Sequence, residues 1–361
     1  MPELARDDIE ALAHTVFGPK CRVLAWHPLT HGDDHAVVFA TLVFPARVVV
    51  LKLADATSAT RFSCEAAIQQ RVARETTVPV CEALAVDDSC QRFPWRYLMM
   101  AHAPGMGWRD GLKRMSPHAR DDIFRQLGEA TAALHSLRYP QFGEVEESRT
   151  SPPASLLREE GGIPVANWQD AHLVPPLVGE GGRRPGEVLP LPRTSPPIPP
   201  PQREGSIEAL AARARRRIAN PAHADLFTSV LQAHASDFAD LTEPRLTHED
   251  LNPYNLLLVP GDEPDDDWRL AAVLDFGSAW AGCPESDIAR LELWRDMMGD
   301  GFTEGYTASQ PIAADYPKRR PIYQLLWCLE YARPTKQHHA DTARVCAALD
   351  IPPVTFGEAD R

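Results

Sequence analysis

A chain of 361 residues exceeds what one hydrophobic core usually supports, so two lobes or domains are expected. With 44% apolar and 24% charged residues it is an ordinary globular chain, and it holds no run of about 18 apolar residues that would predict a transmembrane helix. A formal net charge of −13 argues against nucleic acid, whose phosphates reward basic surfaces, and suits either simple solubility or a cationic small molecule.

The opening stretch MPELARDDIEALAHTVFG has early acids and no apolar signal-like segment, so it reads as an amphipathic helix. Cys21, Cys64, Cys81, Cys90, Cys283, Cys328 and Cys346 are scattered, odd in number and form no C-x-x-C pair. That pattern argues against a disulfide framework and a zinc site, and fits a reducing cytoplasm. Two β-rich runs, Ala36–Phe44 and Val48–Leu53, flank Pro45-Ala46-Arg47 and predict a hairpin. Ahead of them, LTHGDDHAVVFATL holds a single glycine, Gly32; it is either a phosphate-facing turn between strands or a plain hairpin. SATRFSCEAAIQQRVARE predicts a helix, and FPWRYLMMAHAPG a strand that runs into a loop. Residues 1–102 are therefore mixed, with strands dominant.

From His118 to Leu137, the residues Ile123, Leu127, Ala130, Leu134 and Leu137 recur at steps of three and four, the period of a long amphipathic helix. The chain beyond it reads as mostly helical apart from two short strands, Leu256–Val259 and Leu270–Leu274. The expected class is α+β, with a small strand-rich lobe (1–102) followed by a larger helical one (103–361). Between the helices, Pro175–Pro201 is too proline-rich for helix or sheet. Two similar stretches, RTSPPASLLREEG (Arg149–Gly161) and RTSPPIPPPQREG (Arg193–Gly205), echo each other. Residues 149–206 are read as a surface insertion without a chemical role, the alternative being a docking segment or substrate lid.

The chemistry concentrates in LTHEDLNPYNLLLV (Leu246–Val259) and LAAVLDFGSAW (Leu270–Trp280). Moving a γ-phosphoryl group needs a carboxylate to orient the acceptor hydroxyl and oxygen ligands for a divalent metal. Asp250 suits the first task. Asn255, five residues on, and Asp275, at the end of an apolar strand and followed by Phe276-Gly277, suit the second. Upstream, Lys52 stands inside VVVLKLA; it is either an edge-strand charge or a phosphate-binding ammonium paired with Glu65 on the next helix. His248 reads as structural, bonding backbone near Asp275, and Asp287 as a cap or buttress of the helix it begins. Glu285, Glu292, Asp296 and Asp300 either line an acidic acceptor pocket or form a solvated face.

The order His-x-Asp-x-x-x-x-Asn, then Asp-Phe-Gly, resembles the catalytic and metal loops of the protein-kinase-like fold. Together with YLMMAHAPG and LGEATAALHSL, these stretches resemble the aminoglycoside phosphotransferase and choline-kinase-like family, most closely over 246–294. The resemblance implies a two-lobed kinase fold, ATP or GTP with Mg²⁺, and a small-molecule acceptor in a cytoplasmic monomer or homodimer. By position, Asp250 matches the catalytic aspartate, Asn255 and Asp275 the metal ligands, and Lys52 with Glu65 the ion pair. Ala101 and Ala103 match the hinge whose backbone meets the base. The chain departs from the family at Glu249 and Asn252, where glycine and histidine are common, and at the bulky Tyr254. GSAWAGCPESDIARLELW also resembles the fructosamine kinases, an alternative within the clan. A protein kinase is disfavoured because no Ala-Pro-Glu follows and no long activation loop fits. A catalytically idle nucleotide-binding module is the reading from another class.

Overall fold

The computed structural model describes residues 5–29, 35–145, 206–262, 267–330 and 335–357, all within one packed unit. Gly32 and residues 149–205 of the expected insertion lie outside the described residues; Ser206 opens a helix.

Helix α1 (Arg6–Phe17) buries Ile9, Leu12, Ala13 and Val16, whose spacing puts them on one face. That face joins a core built with an antiparallel sheet of β1 (Arg22–Leu29), β2 (Ala36–Val43) and β3 (Arg47–Asp55). After helix α2 (Phe62–Glu75), strands β4 (Ala83–Asp87) and β5 (Trp95–Ala101) complete it in the order β1-β2-β3-β5-β4. Strand β3 is thus the middle strand. Its period of two sends Val49, Leu51 and Leu53 into the core with α1, while Val50 and Ala54 join the core on the α2 side. Lys52 shares the parity of Val50 and Ala54. The edge-strand reading of Lys52 fails, because β2 and β5 flank it with Val37 and Leu98 as its opposite residues.

Strand β6 (Met106–Gly107) and helix α3 (Trp108–Leu112) lead to α4 (Pro117–Leu134), the helix expected from periodicity. Ser116 caps it by accepting from the Ala119 amide, and Pro117 opens the first turn, where its missing N–H costs nothing. The helix ends three residues before Leu137. Helices α5 (Ser206–Arg217) and α6 (Pro221–Ala233) follow, then β7 (Arg245–Thr247), β8 (Leu256–Pro260), β9 (Trp268–Val273) and β10 (Trp280–Gly282). Strands β8 and β9 are the two expected; β7 pairs with β10 in a small ladder that the sequence reading missed. Helices α7 (Glu285–Leu291), α8 (Asp300–Thr307), α9 (Tyr316–Glu330) and α10 (Lys336–Ala348) complete the chain. None of the seven cysteines pairs with another in a disulfide, and no helix among the described residues is long and apolar enough to cross a membrane.

Helices α4 and α8 approach closely because small residues face each other. A Cβ on Gly128 would sit 2.2 Å from the Phe302 carbonyl oxygen, and one on Gly305 would sit 2.1 Å from that of Arg125. Backbone cannot yield there as a side chain would. Alanine's better helix propensity, about 1 kcal/mol, is outweighed by this overlap. Gly128→Ala is therefore expected to destabilise by about 2 kcal/mol, read as a lower urea midpoint at unchanged slope. A stabilised variant would contradict the packing described.

Candidate active site

The register of one hairpin assembles the site's centre. Leu256 on β8 lies opposite Val273 on β9. One step outward, the Leu274 amide donates to the Asn255 carbonyl at 2.8 Å, so Asn255 and Asp275 leave the same end of the hairpin. Asp275 adopts the left-handed conformation (φ 62°), uncommon for a residue with a side chain, and its carboxylate accepts from the Gly277 amide. This turn aims the carboxylate at the sheet. Lys52 Nζ donates to Asp275 Oδ1 at 2.8 Å and to Glu65 Oε1 at 2.6 Å.

Lys52 is only 5% exposed, and its charge survives because two carboxylates meet it. Burial works against the ammonium, yet Glu65 and Asp275 outweigh burial and raise its pKa above the ordinary lysine value. Burial likewise pushes Asp275 upward, but the Lys52 cation prevails and holds that carboxyl at about 2. Asp275 is therefore anionic at neutral pH, as a ligand for a hard cation must be. Asn255 spends its amide nitrogen on Asp250, donating to the carbonyl and to Oδ2, each at 2.9 Å. That turns its amide oxygen away from Asp250. Among the described residues no group of three or more His, Cys, Asp or Glu side chains could hold a metal. The donors present, Asn255 Oδ1 and Asp275, fit an oxygen-liking ion such as Mg²⁺ that keeps water or ligand oxygens for its other positions.

Asp250 is held on both oxygens. Asn252 Nδ2 donates to Oδ1 at 3.1 Å and Asn255 to Oδ2, while the Arg290 guanidinium pairs with Oδ1. His248 lies between the two loops: its Nε2 is 2.9 Å from the Leu274 carbonyl, and its ring packs 4.6 Å from that of Phe276. Glu249 has φ 62°, which accounts for glycine being frequent there in the resembling family. Its side chain stabilises the strained turn from below, accepting from Thr247 Oγ1 (2.6 Å), Trp280 Nε1 (3.1 Å) and Ser286 Oγ (3.2 Å), beside the buried Arg213. Asn252 closes the turn by accepting from the Tyr254 amide.

Helix α7 is buried along its whole length, yet carries charges. Of the two readings of Asp287, cap or buttress of its helix, the cap fails, because Pro284 occupies that position. Fully buried, Asp287 accepts instead from the backbone amides of His248 (2.7 Å) and Glu249 (2.8 Å), with His135 Nε2 at 3.1 Å. Nor do the nearby acids form an acidic pocket. Glu285 is buried in a two-bond pair with Arg319 (2.6 and 2.7 Å), Asp296 pairs with Arg109 (2.6 Å), and Glu292 lies 3.6 Å from Arg320. Asp300 opens α8.

Of the hinge residues, Ala101 spends its N–H on the Glu82 carbonyl (2.9 Å), which leaves its carbonyl as the group a ligand could use. Ala103 is half-buried against the small core behind β5. Sequence reasoning missed Arg290 and Arg109. The available signal was local: Arg290 sits among Ile288, Ala289 and Leu291, and a cation in a buried helix requires an anion. Both arginines line a cavity of about 310 Å³ with Tyr254, Trp294 and Trp327.

Burial raises the Asp287 carboxyl, but the bonds from His135 and the His248 amide overcome it and leave the pKa below the ordinary value. Its folded-state value is the lower one, so its contribution is complete above the unfolded carboxylate range near pH 4 and lost as pH falls below it. Asp287→Asn is expected to lower the urea midpoint at neutral pH and to flatten the acid-side loss of stability between about pH 5 and 3. An unchanged acid slope would show that this carboxylate does not carry the linkage.

Residues 26–322 match the profile of the phosphotransferase enzyme family. No curated protein matches the chain. Among solved structures, a candidate fructosamine-3-kinase from Haemophilus somnus superposes with a TM-score of 0.60 at 15% identity, over 94% of this chain and 96% of that one. A candidate aminoglycoside phosphotransferase from Ralstonia eutropha gives 0.58 at 15% identity, over 96% and 97%. An aminoglycoside phosphotransferase solved with AMP-PNP and hygromycin B gives 0.53 at 16% identity, over 95% and 96%. These likenesses show the protein-kinase-like fold, and with the profile match they establish that the chain belongs to the phosphotransferase enzyme family.

Proposed function

We propose that the protein is a small-molecule kinase that moves the γ-phosphoryl group of ATP or GTP to an acceptor hydroxyl, with Mg²⁺ as cofactor. The observation that carries this reading is the single cluster formed by Lys52, Glu65, Asp275, Asn255 and Asp250. It gathers a buried cation for phosphates, two oxygen donors for a metal and a carboxylate for the acceptor. Structural neighbours solved with AMP-PNP or GDP support nucleotide use. On this reading residues 1–102 bind the nucleotide, with the Ala101 carbonyl and Ala103 amide meeting the base. Residues 103–361 carry the acceptor site.

Lys52, fixed by Glu65, would bind the α- and β-phosphates. Asn255 and Asp275 would hold Mg²⁺, which offsets charge on the phosphate oxygens. Asp250 would orient the acceptor hydroxyl and take its proton, while His248 and Asp287 keep its loop in register with Asp275. The family assignment and the intact set of four residues, Lys52, Asp250, Asn255 and Asp275, count against an idle module.

Mg²⁺-dependent ADP release should be followed against aminoglycosides, macrolides, fructosamines, choline and homoserine. Asp250→Asn is expected to lower turnover about 10²–10⁴-fold while ATP affinity stays near wild type. Wild-type turnover in that variant would end the assignment of Asp250.

A further inference from the structure

Asp250 does not open directly onto the cavity beside it. The residue that reaches both is Arg290: it lines the cavity, and its guanidinium pairs with Asp250 Oδ1. Arg290 is 9% exposed and stacks on Trp327, its guanidinium carbon 4.0 Å from the ring centroid. Its Nε is buried without a hydrogen-bond partner among the described residues. The Asp250 side chain keeps 30% exposure of its own, but an acceptor hydroxyl that reaches its Oδ1 from this cavity displaces the guanidinium. A neutral or cationic acceptor offers nothing in exchange, and a buried cation left unpaired is strongly unfavourable. An anionic group on the acceptor removes that cost.

The rest of the lining agrees. Arg109 also faces the cavity, over the rings of Tyr254 (5.4 Å) and Trp294 (5.6 Å). The one carboxylate among the lining residues, Asp341, is already engaged: Gln337 donates to it, and Arg344 and Arg295 lie within 3.7 and 3.9 Å. Such a lining suits a polycation poorly. Its aromatic faces and the Arg290 guanidinium suit a flat or apolar molecule bearing a carboxylate, Arg109 being already paired with Asp296 at 2.6 Å.

Resting on the kinase reading above, the geometry points to an acceptor that carries a carboxylate as well as the reacting hydroxyl, with Arg290 transferring its pairing from Asp250 to that carboxylate as the acceptor binds. Asp250 Oδ1, still accepting from Asn252, then has room to receive the acceptor's O–H. The acceptor oxygen bonds to the γ-phosphorus, the bond from that phosphorus to the β,γ-bridging oxygen breaks, ADP leaves, and the hydroxyl proton passes to Asp250. Arg290 is a positioning and selecting residue in this scheme.

The test compares 4-(hydroxymethyl)benzoate, the matching benzamide and kanamycin, each titrated onto the full chain with AMP-PNP and Mg²⁺ and followed by fluorescence of Trp294 and Trp327. The benzoate is expected to saturate, the benzamide to bind roughly tenfold more weakly or worse, and kanamycin to bind no better than the amide. This comparison in unaltered protein needs no variant to fold. Arg290→Gln should then erase the preference for carboxylate over amide, and Arg290→Lys should restore part of it. Equal binding of benzoate and benzamide, tighter binding of kanamycin, no saturation by the benzoate, or a preference untouched in Arg290→Gln would each overturn the inference. Failure of the kinase reading has a separate signature: AMP-PNP binding that responds neither to Mg²⁺ nor to Asp275→Asn.

Discussion

A lysine in the middle strand of a sheet cannot stay charged unless anions come to it, and this one requirement ties the molecule together. Lys52 takes one carboxylate from α2 and one from the turn after β9, residues 13 and 223 positions away in the chain. The sheet, the helix behind it and the β8–β9 hairpin therefore share a single charge cluster. Breaking it by removing either carboxylate leaves a buried cation short of compensation, at a cost of about 3 kcal/mol or more. The same cluster keeps Asp275 ionised. On the proposed reading, the group of atoms that the fold needs is the one that would meet the nucleotide.

A second buried anion, Asp287, performs the corresponding structural task at the Asp250 turn. Asp287 receives two successive backbone amides from the turn that presents Asp250, and so sets where that carboxylate stands. Helix α7 supplies Asp287 to the back of the turn and Arg290 to its front, three residues apart and so nearly one helical turn. Glu249 adds a buried side chain beneath the same turn. Its left-handed backbone conformation is unfavourable for glutamate, and the three hydrogen bonds it accepts, together with Arg213, offset that cost. The turn is held both by its own Asn252 and Asn255 and by Asp287, Trp280 and Ser286 from neighbouring elements.

The parts of this arrangement that were legible in the sequence are those encoded by local spacing. Asp250 and Asn255 are five residues apart and directly precede an apolar strand, so both side chains belong to one turn. Asp275 was legible because it ends a second apolar strand; hairpin pairing then brings it to Asn255. Period-two alternation likewise sends Lys52 to the α2 side. The strand implied ahead of Gly32 was not delimited and β4 was missed: β1 carries Pro28 and ends in a polar stretch, and β4 is short and alanine-rich, so neither shows strong β-propensity. For Asp287 only the cap alternative fails: acids in a first helical turn usually cap, whereas its partners lie 38 and 39 residues upstream. Arg290 and Arg109 belong to long-range pairs; for Arg290 the apolar neighbours Ile288, Ala289 and Leu291 were the local signal, whereas nothing local marks Arg109.

The central claim is that Lys52 and Asp275 form the phosphate and metal side of a nucleotide site. It is tested most directly by calorimetric titration of ATP onto the protein with and without Mg²⁺, in wild type and in Lys52→Met. The account predicts binding that tightens when Mg²⁺ is added and weakens by about tenfold or more in the variant. ATP affinity indifferent to both the ion and Lys52 would contradict it.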